Sequence, residues 1–281
     1  MSASERGGPR HARRRRWATA VVVLLAGGFG WWVGGGTLRD WLRDNGPEWT
    51  ERGPSRGQMK AVRARLSASL RASGFTPRSP ALLRVIKSER KLEVWLRKGP
   101  RFERFRSYAI CSFSGDLGPK QREGDLQAPE GFYSVSRRQL HPGSAYHLAM
   151  NVGYPNAYDR AHGRTGSAIM VHGSCVSIGC FAMTDAGIEE IYALVEDALV
   201  GGQRAVPLHI FPFRMTPGAL AARGDVPERA FWAELEPGWQ AFERTRRPPR
   251  VRVRQGRYVV SSVGSVSVAS CGMLPASRCQ Q

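Results

Sequence analysis

The sequence predicts a mainly β protein: a β-sandwich domain with a helix after Cys180, an N-terminal membrane segment, and a C-terminal extension of helix and hairpin. Three observations carry this. From Leu82 onward, short runs rich in β-branched and aromatic residues alternate with turn residues, as in a meander. After Cys180 the apolar spacing changes to three and four residues, the period of a helix. Near the N-terminus a long uncharged run has neither pattern and is apolar on all sides.

Residues 1–38 form the first unit. Arg13 to Arg16 precede an uncharged stretch from Trp17 to Leu38, and about 20 apolar residues span a bilayer. Basic residues stay on the cytoplasmic side, so the rest of the chain is expected in the periplasm or cell envelope. Trp31 and Trp32 fall where an interfacial aromatic belt would lie. Two readings stand: residues 17–36 as an uncleaved inner-membrane anchor, or a cleaved signal with the same basic-then-apolar layout.

Residues 39–80 read as a helical linker. Met59, Val62, Leu66 and Leu70 have amphipathic spacing, and two prolines in 76–80 mark a boundary. Residues 81–215 form the main domain. Strands are predicted at 83–86, 92–96, 105–110, 132–136, 146–152 and 167–172, with a long polar loop from Gly115 to Gly131. Thr184 or Asp185 caps a helix whose stripe is Ile188, Ile191, Leu194, Val195, Ala198 and Leu199, stopped by Gly201-Gly202. Residues 206–213 read as an edge strand, because Pro207 and Pro212 cannot donate to a ladder. Residues 216–260 carry a second amphipathic helix with Phe231, Trp232, Leu235, Trp239 and Phe242, then a hairpin around Gly256. Residues 261–281 form a loose Ser/Gly-rich tail.

The chain has 281 residues and a net charge of +19, which favours an anionic surface such as phospholipid or cell-wall polymer. Arg is scattered, with no nucleic-acid-binding motif, so nucleic acid is excluded as a partner. The five cysteines are Cys111, Cys175, Cys180, Cys271 and Cys279. Cys271 and Cys279 can pair with each other in the tail; pairing Cys175 with Cys180 would silence the latter. His172-x-x-Cys175 with Cys180 has faint metal-ligand spacing but lacks a second pair at zinc-finger distance, so no metal or other cofactor is expected.

The run Val171-His172-Gly173-Ser174-Cys175-Val176-Ser177-Ile178-Gly179-Cys180 concentrates the chemistry. A thiol is a poor nucleophile near neutral pH unless a base takes its proton. His172 emerges at a strand end, and a glycine turn lets ring and Cys180 sulfur meet. Backbone N–H groups at Gly179 and Cys180 are candidate oxyanion donors, and Ser177 a candidate brace for the loop.

These residues resemble the YkuD-type L,D-transpeptidase domain, which carries a His-Gly strand end followed by Ser/Thr-His-Gly-Cys. The match is closer to its YafK-like periplasmic branch. Leu-Gly-Pro-Lys (117–120), Gly-Asp-x-x-Ala-Pro-Glu-Gly-Phe-Tyr (124–133), Tyr-Pro-Asn-Ala-Tyr-Asp-Arg (154–160) and His-Gly-Ser-Cys-Val-Ser-Ile-Gly-Cys (172–180) all agree in order. The resemblance covers about residues 80–215, more weakly to 258. It implies Cys180 as nucleophile, His172 as base and then acid, and a backbone carbonyl near Gly173 orienting His172. The substrate implied is a diaminopimelate-containing peptidoglycan stem peptide, attacked to form a thioester that a second amine or water resolves. Tyr133, His147, Tyr154, Asn156 and Asp159 are candidates to line the cleft. The implied activity is L,D-transpeptidation. The alternatives are an L,D-hydrolase that releases residues or a covalently anchored envelope protein, and a non-catalytic peptidoglycan-binding anchor. There are departures from the pattern. The gap between His172 and Ser177 is shorter, Ile178 stands where the family has His, and Ala182 where it has Asn or Arg. They bear on substrate choice and on transfer against hydrolysis, not on the nucleophile.

Overall fold

A computed structural model describes residues 53–261. The N-terminal apolar run and both Cys271 and Cys279 of the tail lie outside the described residues. Among the described residues no helix is long and apolar enough to cross a membrane.

A five-stranded sheet has the order β3 (Arg101–Ala109), β2 (Lys91–Lys98), β1 (Ala81–Ile86), β9 (Ala205–Phe211), β4 (Gly131–Ser136). Strand β1 pairs antiparallel with β2 and parallel with β9. All six of its residues are buried, as a central strand covered on both faces requires. Side chains alternate accordingly: Leu83 and Val85 join one core, Leu82 and Ile86 the packing on the opposite face. A second, smaller sheet has the order β5 (Leu140–His141), β6 (Ala149–Asn151), β7 (Met170–His172), β8 (Phe181–Ala182). Met150, Val171 and Phe181 of this sheet share the core of Leu83, Val85 and Val94.

Helix α1 (Arg56–Ala72) begins at Ser55, whose Oγ accepts the Gln58 N–H at 3.1 Å. A short helix α2 (Ala157–Ala161) follows β6. Helix α3 (Asp185–Val200) is capped by Thr184, whose Oγ1 accepts the Gly187 N–H at 3.1 Å. Its predicted stripe is buried in the same core. Helix α4 (Arg229–Thr245) lays Phe231, Trp232, Leu235 and Trp239 on the other face, against Ile86, Phe132 and Phe211. The ribbon of β10 (Arg250–Arg254) and β11 (Arg257–Ser261) follows.

The structure departs from the sequence reading in three ways. Residues 56–72 do not form a free linker: Val62, Leu66 and Leu70 are buried in the main core, and Arg63 pairs with Glu196 and Asp197 of α3. Each such burial contributes about 1.5–3 kcal/mol, so tertiary packing holds this helix. Strand β9 is central, not an edge. Pro207 precedes the ladder with β1, which starts at Leu208, and Pro212 lies past the strand, where its carbonyl accepts the Ser88 N–H at 2.8 Å. The strands expected at 146–152 and 167–172 shrink to three residues each. His147 and Ala168 have φ of 66° and 54°, which extended pairing does not allow.

Candidate active site

The parallel pairing of β7 with β8 builds the site. His172 lies opposite Ala182 and Val171 opposite Phe181, so Cys180 enters β8 beside Met170. The Met170 N–H points at the Cys180 Sγ at 3.4 Å, and the Ala168 carbonyl lies 3.7 Å from the same sulfur. Cys180 is half-buried and is the free cysteine among the described residues. His172 and Cys180 line one cavity of about 450 Å³, walled by Leu140, His141, Pro142, Tyr146 and Met170. A larger hollow of about 720 Å³ beside α4 has Asp225 and Arg229 among its lining but no nucleophile paired with a base.

His172 is 3% exposed. Its Nδ1 lies 2.6 Å from the Gly173 carbonyl. A carbonyl can only accept, so Nδ1 carries the proton and Nε2 keeps the lone pair. Tyr146 packs against the ring, tilted by 43° with 4.9 Å between centroids. Burial pulls the His172 pKa below its usual value, and the Gly173 carbonyl acts against this. Burial pushes the Cys180 thiol up, opposed by the Met170 N–H and the charge of Lys120. Both shifts favour a resting pair of neutral thiol and neutral imidazole, with proton transfer kept for the reaction.

Gly173 has no room for a side chain. A Cβ there would lie 2.5 Å from Asp185 Oδ1 and 3.0 Å from His147 Cβ. Ser177 braces the loop from both directions: its Oγ accepts the Gly179 N–H at 3.1 Å and donates to the Cys180 carbonyl at 2.7 Å. The Gly179 N–H is therefore engaged inside the loop, contrary to the expectation that it faces an oxyanion. The Cys180 N–H is the donor that remains from that pair.

The five expected cleft residues lie elsewhere. Tyr133 donates to Asp159 Oδ2 at 2.9 Å, and Asp159, fully buried, accepts from Arg164 at 2.8 Å. Asn156 caps α2 and donates to the Phe132 carbonyl and the Tyr258 hydroxyl, each at 3.0 Å. Tyr154 donates to the carbonyls of Lys120 and Thr165. These four form a hydrogen-bonded scaffold around α2, buried except for half-buried Asn156, and do not line the cavity of Cys180. His147 is also absent from that lining; its Nε2 lies 2.8 Å from Glu189, which also accepts from Gln58. The left-handed backbone at His147 breaks the strand alternation, so its neighbour Tyr146 faces the cavity instead. Sequence reasoning missed Tyr146, His141 and Asp185, whose Oδ1 accepts the Ser174 N–H at 2.8 Å. It also left open the Cys111–Cys175 disulfide, whose Cα atoms are 5.2 Å apart and which leaves Cys180 unpaired. Ala182 is fully buried in the sheet and does not reach the cavity, while Ile178 is 81% exposed on the loop.

Comparison with known proteins gives the family. Residues 80–215 match YkuD, the L,D-transpeptidase catalytic domain. The chain is 52% identical over 183 residues to YafK of Escherichia coli K12, provisionally named an L,D-transpeptidase, covering 65% of this chain and 74% of that one. This chain belongs to the YkuD L,D-transpeptidase family. Membership supports a peptidoglycan-modifying function on stem peptides. Among solved structures it is similar to the helical cell shape determining protein Pgp2 of Campylobacter jejuni. That likeness has a TM-score of 0.39 and 19% identity, over 67% of this chain and 80% of that one. It is also similar to Bd1075 of Bdellovibrio bacteriovorus, with a TM-score of 0.33 and 24% identity over 49% and 53%. Both likenesses are too distant to bear on function.

Proposed function

We propose that this chain is an exported cysteine L,D-transpeptidase acting on diaminopimelate-containing stem peptides through a Cys180 thioester. The observation that carries the reading is the His172 tautomer: with Nδ1–H held by Gly173, Nε2 is free to act as base in the cavity it shares with Cys180. The Cys180 thiol gives its proton to Nε2, and the sulfur attacks the carbonyl carbon of the diaminopimelate residue. The oxyanion is held by the Cys180 N–H. The C–N bond breaks as imidazolium returns the proton to the leaving amine, and a thioester remains. A second stem-peptide amine then attacks, gives its surplus proton to His172, and expels the thiolate, which recovers it. Water in place of that amine would make the same machinery a hydrolase.

Export follows the N-terminal reading: residues 17–36 act as an inner-membrane anchor or as a cleaved signal, and either puts the domain in the periplasm. An alkaline phosphatase fusion after residue 52 tests this, and an inactive fusion refutes it.

The decisive experiment compares the wild type with Cys180→Ala on purified peptidoglycan that retains bound envelope protein, read by mass spectrometry. Cross-linked dimers from the wild type alone support transpeptidation. Released protein or shortened stems without dimers replace it with hydrolysis. Identical products from both chains refute the nucleophile and favour a binding module.

A further inference from the structure

We propose that the Cys111–Cys175 disulfide is the device that holds His172 in its working position, so that this chain is competent only when that pair is oxidised. The inference rests on the reading above for the identity of the reacting pair.

The turn that follows His172 is strained. Ser174 and Cys175, two consecutive non-glycine residues, have φ of 68° and 52°. Left-handed backbone costs such residues on the order of 1–3 kcal/mol each unless their surroundings impose it. Burial does not impose it, since Ser174, Cys175 and Val176 are all exposed. Three constraints remain. Asp185 accepts the Ser174 N–H at 2.8 Å, the Met183 carbonyl accepts the Cys175 N–H at a longer 3.3 Å, and the sulfur bridge ties Cys175 to Cys111.

The far end of the bridge is anchored at the site itself. The N–H groups of Cys111 and Ser112 donate to the Ala182 carbonyl at 2.8 and 3.1 Å, and the Ala182 N–H donates to the Ser112 carbonyl at 2.8 Å. Ala182 is the residue opposite His172 across β7 and β8, two positions after Cys180. A closed ring results. It runs from His172 through the turn to Cys175, over the sulfurs to Cys111, through Ser112 to Ala182, and back to His172. Gly173 lies on this ring, and its carbonyl is what fixes the imidazole. Opening the bridge removes one of the three constraints on Ser174 and Cys175; as they relax, the peptide unit that carries the Gly173 carbonyl is left to the Asp185 bond alone and turns with them.

The chemistry balances with a dithiol reductant. Its two thiolates displace the cysteine sulfurs in turn, two electrons pass to the pair, and the reductant leaves as a cyclic disulfide. Cys111 and Cys175 become thiols, and Cys180 is chemically unchanged. Positioning is thus separable from loss of the nucleophile.

The test uses the full chain in four forms: oxidised wild type, wild type reduced with dithiothreitol, the C111S/C175S double variant, and Cys180→Ala as blank. Two properties are read below the melting temperature of every form. One is peptidoglycan turnover. The other is the alkylation rate of Cys180 by iodoacetamide across pH, followed on its own peptide by mass spectrometry. The expected result is a turnover loss of at least tenfold on reduction, reversed by reoxidation, and the same loss in the double variant without response to reductant. Cys180 alkylation then needs higher pH than in the oxidised form, because His172 no longer assists. Reduced wild type with turnover within twofold of the oxidised form and an unchanged alkylation profile overturns the proposal, even if its melting temperature falls. Should the double variant fail to fold, reversible reduction of a C271S/C279S chain, in which Cys111–Cys175 is the bridge left to reduce, decides alone. Should no form turn over peptidoglycan, the proposed function fails, while the alkylation profiles still decide this inference: a shift upholds it and identity overturns it.

Discussion

Replacing Gly173 by alanine adds one methyl group where three neighbours already stand. The new Cβ would lie 2.5 Å from Asp185 Oδ1, 3.0 Å from His147 Cβ and 3.1 Å from Ile188 Cγ2. Non-bonded carbons rest about 3.5–4.0 Å apart, so the two carbon contacts are each short by about 0.4–1 Å. Relief has two routes. Asp185 can swing away, which gives up its bond to the Ser174 N–H and costs about 1 kcal/mol. Alternatively the Gly173 backbone can retreat, at about 1–3 kcal/mol of overpacking strain, and carry the carbonyl that holds His172 with it. The second route moves the base, and a misplacement of about 1 Å costs on the order of 100-fold in rate. The expected outcome is kcat/KM reduced about 100-fold, with stability lower by about 1–3 kcal/mol. Peptidoglycan turnover read by mass spectrometry, with denaturant melts on the same samples, checks it. Gly57→Ala is the control: its nearest neighbouring atom is 3.9 Å away, at an exposed helical position, and alanine there is neutral or stabilising by up to about 1 kcal/mol. A Gly173→Ala protein with undiminished kcat/KM and an unshifted melt would refute the argument that this close approach orients His172.

Other expectations follow from the same structure. Because burial holds the His172 pKa below its usual 6.5, the base stays unprotonated through that pH, and the acid limb of kcat/KM is expected below 6.5; a limb centred above 7 refutes this. Buried His209 has its pKa pushed down to about 3, by burial first and by the Arg84 charge second. The unfolded chain therefore binds a proton below pH 6.5 that the folded one refuses, so this contribution is present above 6.5 and is lost as pH falls towards 3. It amounts to about 3 kcal/mol by pH 4, and denaturant melts of His209→Gln at pH 7 and 4 should show a smaller acid loss than the wild type. Glu93→Gln removes the buried carboxylate that accepts from Arg84 at 2.8 Å, Trp95 at 2.9 Å and Arg214 at 2.7 Å; a loss of about 3–5 kcal/mol is expected in the same assay. Ser177→Ala frees the Gly179 N–H and unties the Cys180 carbonyl; an activity loss larger than the stability loss is expected, and equal losses would make Ser177 only a turn residue.

Period and capping were legible because they are local. The β-rich runs 83–86, 92–96 and 132–136 are strands in the structure, and the stripe of α3 survives because burial of one helix face imposes it. Position within a sheet was not legible. Two prolines argued for an edge at 206–213, yet β9 is central, because only pairing partners reveal which N–H groups need an acceptor. The helix at 56–72 was correctly placed in sequence, but that its apolar stripe belongs to the main core depends on where α3 and the sheet lie.

The candidate site divides in the same way. The sequence by itself put forward the pair Cys180 and His172: a Gly-flanked thiol and a strand-end imidazole stand within nine residues of one another, and the ordered motifs around them resemble the family. It also determined the small residue at Gly173. Only tertiary structure decided the rest. Tyr133, Tyr154, Asn156 and Asp159 are polar and near one another in the chain, as cleft residues would be, but their hydrogen bonds turn inward around α2. The choice between His147 and Tyr146 turned on one left-handed φ angle. Pairing Cys111 with Cys175 required a contact between positions 64 residues apart. Periodicity and local motifs record what a residue does to its near neighbours; which distant groups satisfy a buried polar atom or meet a thiol is fixed when the sheets and helices pack.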